Sequence, residues 1–424
     1  MIDTLPAPLE PHAATATAST TAAAAGTSSP SDAARSGAGQ LAHTLPITFS
    51  GSGSEYFRIW IVNLLLTLVT LGVYFPWAKV RRLRYFYGNT AVGGHTLDFH
   101  GEPKRMLRGL LLVGAMLVLY SVAGKLSPAA GLIALLIVAG VWPALFRASQ
   151  QFRMANTSWR GLRFRFNGEL RGAYVAMLPL FIPGALTLAA VLFTGDGDGA
   201  ASRARSALET LAGLTALAAT LLVPLFLWLL KKYQHDHYAL GQIQTELRTG
   251  AGSFYVLGLK TFGVALLAGL VAMLVSTVVG GGGVLALATG SRGSRGSVGA
   301  AAAVAIVLAV IVAYAAVVLV IQPYLSSRFQ NLVWGRTASP DIRFDSDLRF
   351  WPLLRLTLKN WLLMLVTLGL YWPFAKIAMT RMRLQAVTVH TRLAPDEWVG
   401  TLRQRASDAT GDAAGDLFGI DIGL

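Results

Sequence analysis

The 424-residue chain contains no cysteine, which excludes disulfides, thiol catalysis and haem-thioether attachment. Charged residues make up only 13% against 54% hydrophobic, too little polar surface to wrap a soluble core of this size. No Asp or Glu stands near the middle of a long apolar run, Glu209 lying at an edge, so the intramembrane carboxylate that usually carries a coupling ion is missing. The GxxxxGK[ST] phosphate loop, the HExxH helix and the GxSxG elbow are missing too. Energised pumping and the common hydrolytic mechanisms are therefore unsupported. No catalytic residue and no cofactor is nominated, and the chain reads as a non-enzyme. His235-Asp236-His237 offers two imidazoles at i and i+2 without a third ligand at a characteristic spacing, so no metal site is expected.

What the chain has in abundance is apolar length. Runs of about 18 residues suffice to span a bilayer core of roughly 30 Å. Eight such segments are present: Phe57–Trp77, Met106–Ala123, Ala129–Phe146, Ala173–Phe193, Ala207–Leu230, Phe254–Val279, Ala300–Leu325 and Leu353–Phe374. The chain reads as an all-α polytopic membrane protein. Its net charge of +15 would suggest nucleic acid in a soluble chain, but the distribution of charge points to topology instead. The linkers after segments one, three, five and seven carry 22 Lys and Arg, and those after segments two, four and six carry 5. Retention of basic loops in the cytoplasm places the first set inside, with a bacterial inner membrane as the natural setting.

One stretch is written twice. Asn63–Arg84 and Asn360–Arg381 agree at 13 of 22 positions at a constant offset of 297, among them Asn63/Asn360, Thr70/Thr367, Gly72/Gly369, Tyr74/Tyr371, Pro76/Pro373 and Lys79/Lys376. Each copy is an apolar helix followed by Gly, aromatic, Pro, aromatic and a basic run. The helix is expected to break at Gly72/Pro76 and Gly369/Pro373, at a water interface anchored by Tyr, Trp and Lys. Asn63, Thr67, Thr70 and Tyr74, with Asn360, Thr367 and Tyr371 in the second copy, form a polar stripe on one helical face. Such a stripe lines a solute path or makes a helix-packing seam. Lys79, Arg81, Arg82 and Arg84, with Lys376 and Arg381, set cations beside interface aromatics, which suits anionic lipid head groups.

Short alternating segments ending in Gly or a turn former recur at Leu45–Gly51, His95–Gly101, Leu162–Gly168 and Asp341–Ser346, with a weaker version at Gln244–Gly250. Several follow a common lead: Tyr87-Gly88-Asn89-Thr90, Met154-Ala155-Asn156-Thr157 and Trp334-Gly335-Arg336-Thr337. They predict cytoplasmic strands that either assemble into a small cap or stay separate. If the strands share one side, segments one and eight begin and end on that side, which a single crossing forbids. Either both copies are re-entrant and six crossings remain, or all eight segments cross. Residues 1–45, rich in Ala, Thr, Ser and Pro, read as a disordered tail. The membrane domain covers 46–385, Thr194–Arg205 and Gly280–Gly299 read as flexible external linkers, and 386–424 reads as a mobile C-terminal tail.

The run from Tyr56 through Asn63, Leu71-Gly72-Val73-Tyr74 and Pro76-Trp77-Ala78-Lys79, followed by Tyr85-Phe86-Tyr87-Gly88-Asn89-Thr90 and Phe99-His100-Gly101, resembles the YjgN-like family of bacterial inner-membrane proteins. The resemblance covers roughly 49–383. It implies a multi-pass inner-membrane location and a domain of unknown function, and it supplies no catalytic or ligand residue. Two functional readings follow: a transporter or permease for a small solute, with the two copies as halves of its path, or a non-transporting scaffold that meets anionic lipids. The bilayer is the expected partner, with no nucleic acid and no protein partner identified.

Overall fold

The computed structural model describes residues 43–193, 201–289, 295–392, 394, 396–397 and 399–402. Ten helices are described: α1 Gly53–Val69, α2 Phe75–Gly88, α3 Pro103–Leu126, α4 Pro128–Ala155, α5 Leu170–Phe193, α6 Ala201–His235, α7 Ala251–Thr289, α8 Arg295–Trp334, α9 Phe350–Val366 and α10 Trp372–Gln385. Eleven short strands separate them: β1 His43–Phe49, β2 Thr90–Val92, β3 His95–Phe99, β4 Thr157–Trp159, β5 Leu162–Phe166, β6 Tyr238–Leu240, β7 Ile243–Gln244, β8 Glu246–Leu247, β9 Thr337–Ala338, β10 Ile342–Ser346 and β11 Val387–Thr391. The strands are not isolated. They join one antiparallel sheet in the order β7-β6-β5-β4-β3-β2-β1-β11-β10-β9-β8.

That sheet returns on itself. Its two end strands, β7 and β8, are consecutive in the chain and separated by Thr245 alone, so both edges meet at one residue. One hydrophobic cluster joins Leu45, Trp159, Leu162, Leu240, Ile342 and Val389, which come from strands up to seven places apart in the sheet order. Neighbouring strands lie about 4.8 Å apart, so a flat sheet would hold such residues roughly 30 Å from one another. The closed ring brings them together as a packed interior.

Around the ring one pattern occurs five times: a strand, a helical hairpin, and a strand that pairs back on the first. Five equivalent backbone hydrogen bonds close the base of each hairpin. The N–H groups of Ser50, His100, Asn167, Arg248 and Asp347 donate to the carbonyls of Asn89, Asn156, His237, Arg336 and Ala386 at 3.0, 2.8, 3.0, 2.8 and 2.9 Å. In three of the five the strand ends in Phe-x-Gly, and the ring folds over the glycine. A Cβ on Gly51, Gly101 or Gly168 would lie 2.7, 2.5 and 2.5 Å from Phe49, Phe99 and Phe166, so only glycine permits this approach. A second set of bonds ties each hairpin to the next. Arg84, Arg147, Trp228, Asn331 and Arg381 donate to the carbonyls of Gly101, Gly168, Thr249, Leu348 and Gly51, the last joining the fifth hairpin to the first.

Phe57–Trp77 and Leu353–Phe374 each hold two helices joined by a five-residue apex, 70–74 and 367–371. Several expectations are corrected. The C-terminal tail does not begin at 386: β11 pairs with both β1 and β10, and Val399 and Leu402 enter the ring's core at 4% and 1% exposure. Residues 403–424 lie outside the described residues, as do 1–42. The glycine-rich stretch Gly280–Gly299 is helical as far as Thr289 and again from Arg295, with 290–294 outside the described residues. Where water is scarce, an unmade backbone hydrogen bond costs more than the low helix propensity of glycine. Of Thr194–Arg205, residues 201–205 belong to α6 and the rest lie outside the described residues. Among the described residues five helices are long and apolar enough to cross a membrane, within α3, α4, α6, α7 and α8, and α5 offers the shorter apolar stretch Leu170–Ala185.

The ring's core should require its C-terminal plug. Leu402→Ala is expected to destabilise by about 2–5 kcal/mol, and truncation after Arg392 by at least as much, read as a lowered thermal midpoint in detergent. An unchanged midpoint in both would remove 399–402 from the core.

Candidate functional site

The two written copies fold alike. At each apex the helix ends with a bond from Gly72 N–H to Thr67 O, 2.8 Å, and from Gly369 N–H to Met364 O, 2.7 Å. Leu71 and Leu368 precede these glycines at φ +49° and +51°, in the left-handed region that costs a branched L-residue roughly 1–2 kcal/mol. Gly72 and Gly369 follow at +92° and +90°, and Pro76 and Pro373 open the returning helices. Apart from the helix break, the apex is unlike the sequence expectation. Leu71 and Leu368 are 94% and 93% exposed with Val69 and Val366 beside them, so apolar side chains crown the turn where water-seeking ones were expected.

Most of the polar stripe serves the backbone. Thr67 donates to Asn63 O, Thr70 to Leu66 O and Thr367 to Leu363 O, while the Thr70 and Thr367 hydroxyls also accept from the N–H of Tyr74 and Tyr371 at 3.0 Å. The tyrosine rings stack on Trp77 and Phe374. The two asparagines keep buried polar atoms without a partner. Asn63 is buried and donates to Ala78 O at 3.5 Å, leaving its Oδ1 without a partner. Asn360, 3% exposed, has no partner at either amide atom.

The returning helices bring together a cluster that sequence reading resolved only in part. Lys79 and Arg82 on α2, Arg153 on α4, Lys231 on α6, and Lys376 and Arg383 on α10 lie close enough for their charges to act on one another. Measured back from the base of each hairpin, these residues fall at spacings of three and four, so they share one helical face, and they extend over seven residues, about 10 Å of helix rise. Glutamines steady three of them: Gln150 accepts from Arg153, Gln234 from Lys231 at 2.8 Å, and Gln330 from Arg383 at 3.0 Å. Among the described residues none of these six side chains forms an ion pair with a carboxylate.

Lys79, Lys376 and Arg383 retain open surface, yet surrounding protein disfavours their charged forms. Neither α2 nor α10 is one of the five long helices. Burial first, then Arg82 and Arg153, hold Lys79 below the ordinary lysine value; burial, then Arg82 and Arg383, do the same for Lys376, and burial lowers Arg383. Groups that are both accessible and desolvated line a recess rather than an outer face. A cleft of about 220 Å³ opens into that recess between α1, α2 and the start of α10, lined by Tyr56, Trp60, Asn63, Lys79, Arg82 and Trp372 among others.

Of the residues expected to meet lipid head groups, Lys79, Arg82 and Lys376 belong to the recess. Arg84 and Arg381 instead staple neighbouring hairpins, and Arg81 is exposed outside the cleft lining. Arg153, Lys231 and Arg383 were missed because each reads alone as a topology-setting charge. His235 donates to or accepts from Thr337 at 2.9 Å, and His237 Nδ1 bonds Tyr233 O at 2.7 Å in the capping position that Asn89 and Asn156 occupy elsewhere in the ring. Both imidazoles are structural, and the described residues hold no group of three or more metal-ligating side chains.

The family described as "Bacterial protein of unknown function (DUF898)" matches residues 44–417. The protein named Inner membrane protein YjgN from Salmonella typhimurium is 31% identical over 150 residues, covering 34% of this chain and 37% of the relative. Its namesakes from Escherichia coli O157:H7 and strain K12 are 30% and 29% identical over 148 and 147 residues, with the same coverage. The matched stretch spans little more than a third of these curated relatives. No solved structure matches.

Replacing a buried amide that lacks partners by an apolar side chain of similar volume removes an uncompensated desolvation cost of about 1–3 kcal/mol. Asn360→Leu should therefore raise the thermal midpoint in detergent. A fall would show that the Asn360 amide makes a bond that stabilises the fold.

Proposed function

This chain belongs to the bacterial family matched along 44–417, and we propose on that footing that it is an inner-membrane permease for a small anionic solute. The carrying observation is the column of six cations from four returning helices, unpaired with any carboxylate among the described residues and reached by an open cleft. Like charges held together in partly desolvated surroundings repel unless an anion joins them, so the recess is complementary to a negative ligand. A bound anion favours the charged lysines, so its affinity falls as pH rises through their lowered values.

The membrane arrangement supports this reading. Both ends of every hairpin lie at the same end of the sheet, because antiparallel pairing alternates hairpin bases with the tight turns at the opposite end. Three hairpins, α3–α4, α5–α6 and α7–α8, then supply six crossings, while α1–α2 and α9–α10 dip in and return. At 1.5 Å per residue these short helices of 17 and 14 residues reach about 26 and 21 Å, short of a hydrocarbon core of roughly 30 Å. Their apolar apices suit the hydrocarbon interior. The 22 Lys and Arg of the sheet-side linkers support a cytoplasmic strand cap. A non-transporting, lipid-binding scaffold is the alternative, favoured by the sealed interior of the ring, which blocks a straight bore through the sheet.

Topology is testable in the cysteine-free chain. Ala386→Cys should react with an impermeant maleimide only from the cytoplasmic face; labelling confined to the periplasmic face would make both short hairpins full crossings. For transport, proteoliposomes should take up inorganic phosphate, sulfate or a small carboxylate faster than protein-free vesicles, with Lys79→Gln/Arg82→Gln lowering the initial rate at least tenfold. Rates equal to protein-free vesicles for every anion would favour the scaffold.

A further inference from the structure

The cleft has two chemistries at its two ends. Lys79 and Arg82 supply positive charge, and Asn63, whose buried Oδ1 acceptor has no partner, belongs to the same lining. The amide orientation follows from Nδ2 donating to Ala78 O. An acceptor beside two cations calls for a ligand that carries a hydroxyl donor next to its anionic group.

The other end is apolar and open. Leu64, Phe75 and Trp372 line the cleft at 38%, 47% and 36% exposure, and Leu68, Val69 and Leu71 continue the same apolar surface to the apex at 63%, 80% and 94%. No long helix covers this side, because the first and fifth hairpins adjoin through the β1–β11 pairing and both are short. At about 220 Å³ the cleft is of head-group size and too small for a whole lipid. Anything longer must leave along the exposed apolar wall. A free anion uses only the polar half of such a site; an amphiphile uses both.

Resting on the anion-site reading above, we infer that the cleft between α1, α2 and α10 binds a membrane phospholipid with a hydroxylated phosphate head group, its phosphate at Lys79 and Arg82 and its chain along Leu64 and Phe75. The phosphate lies between the two cations, a head-group hydroxyl donates to Asn63 Oδ1, and the acyl chain passes between Phe75 and Trp372 into the bilayer.

The test measures thermal stabilisation of the protein in an uncharged detergent by dioleoylphosphatidylglycerol, dioleoylphosphatidylcholine, glycerol 1-phosphate and inorganic phosphate. Phosphatidylglycerol should raise the midpoint at concentrations at least tenfold below those needed for glycerol 1-phosphate, and phosphatidylcholine should not. Lys79→Gln/Arg82→Gln should lose that preference at least tenfold, and Leu64→Gln should weaken the lipid without weakening glycerol 1-phosphate. Arg81→Gln/Lys104→Gln removes the same charge outside the cleft and should change neither. Equal potency of glycerol 1-phosphate or inorganic phosphate and the lipid overturns the amphiphile while leaving the anion reading intact. No response to any anion, or an equal response to phosphatidylcholine, overturns both. Should the double variant fail to fold, photoactivatable phosphatidylglycerol on the unaltered protein decides: crosslinks in α1, α2 or α10 are expected, and crosslinks confined to the long hairpins overturn the assignment.

Discussion

The two ends of the sheet meet at Thr245, and the rest of the molecule depends on that closure. Unpaired strand edges are costly to bury and prone to intermolecular pairing when exposed. Here β11 pairs with β1, and the bent stretch 243–247 pairs at one half with β6 and at the other with β9. Strands of only two to seven residues could not persist singly. Joined in a ring, all but the end strands β7 and β8 gain two neighbours, and inward apolar side chains such as Leu45, Trp159 and Leu240 share one core despite wide sequence separation. Closure also fixes direction: every helical hairpin must leave from the same end.

The first strand of each unit was legible because its signal is local. Alternating residues before Gly, and the leads at Asn89, Asn156 and Arg336, survive in the chain as short recognisable words. The fourth and fifth units are harder to read because Thr249 and Leu348 stand where Gly51, Gly101 and Gly168 stand, and their equivalence emerges only from the matching hydrogen bonds. The doubled stretch was visible as a pair, with a re-entrant turn as one of two alternatives, but the form of that turn was not. A Gly after an apolar helix predicts an end, whereas the apex depends on Leu71 and Leu368 adopting a left-handed backbone that branched residues avoid. The C-terminal segment looked polar and mobile because the core it completes is assembled from strands hundreds of residues away.

Cations posed the opposite difficulty, since each had a sufficient bland explanation. A Lys or Arg at a cytoplasmic helix end sets topology, and nothing in one helix distinguishes Arg84, which staples the next hairpin, from Arg82, which faces the recess. The distinction is made by the ring. It aligns four returning helices so that residues at the same distance from the sheet converge, and Lys79, Arg153, Lys231 and Arg383 become neighbours although they span 304 positions of sequence. The glutamines hold the cations without neutralising them, which preserves the positive field at a distance where a carboxylate would cancel it.

Unequal hairpin length gives this nearly fivefold ring its one distinct side. Were all five hairpins long, the cation column would be walled by helices throughout and reachable only through the sheet, whose interior is packed. Because the first and fifth are short and adjoin, the wall is low at one seam, and there lie the buried asparagines, the open cleft and the strained leucines. Glycine at Leu71 or Leu368 would relieve the backbone at no steric cost, so strain retained in both copies places a large apolar side chain at the apex. Such a side chain is costly in water and favourable in hydrocarbon. On the proposed arrangement the bilayer around the apices also meets the mouth of the cleft, so a ligand with both charge and an apolar chain meets complementary surfaces without first leaving the membrane.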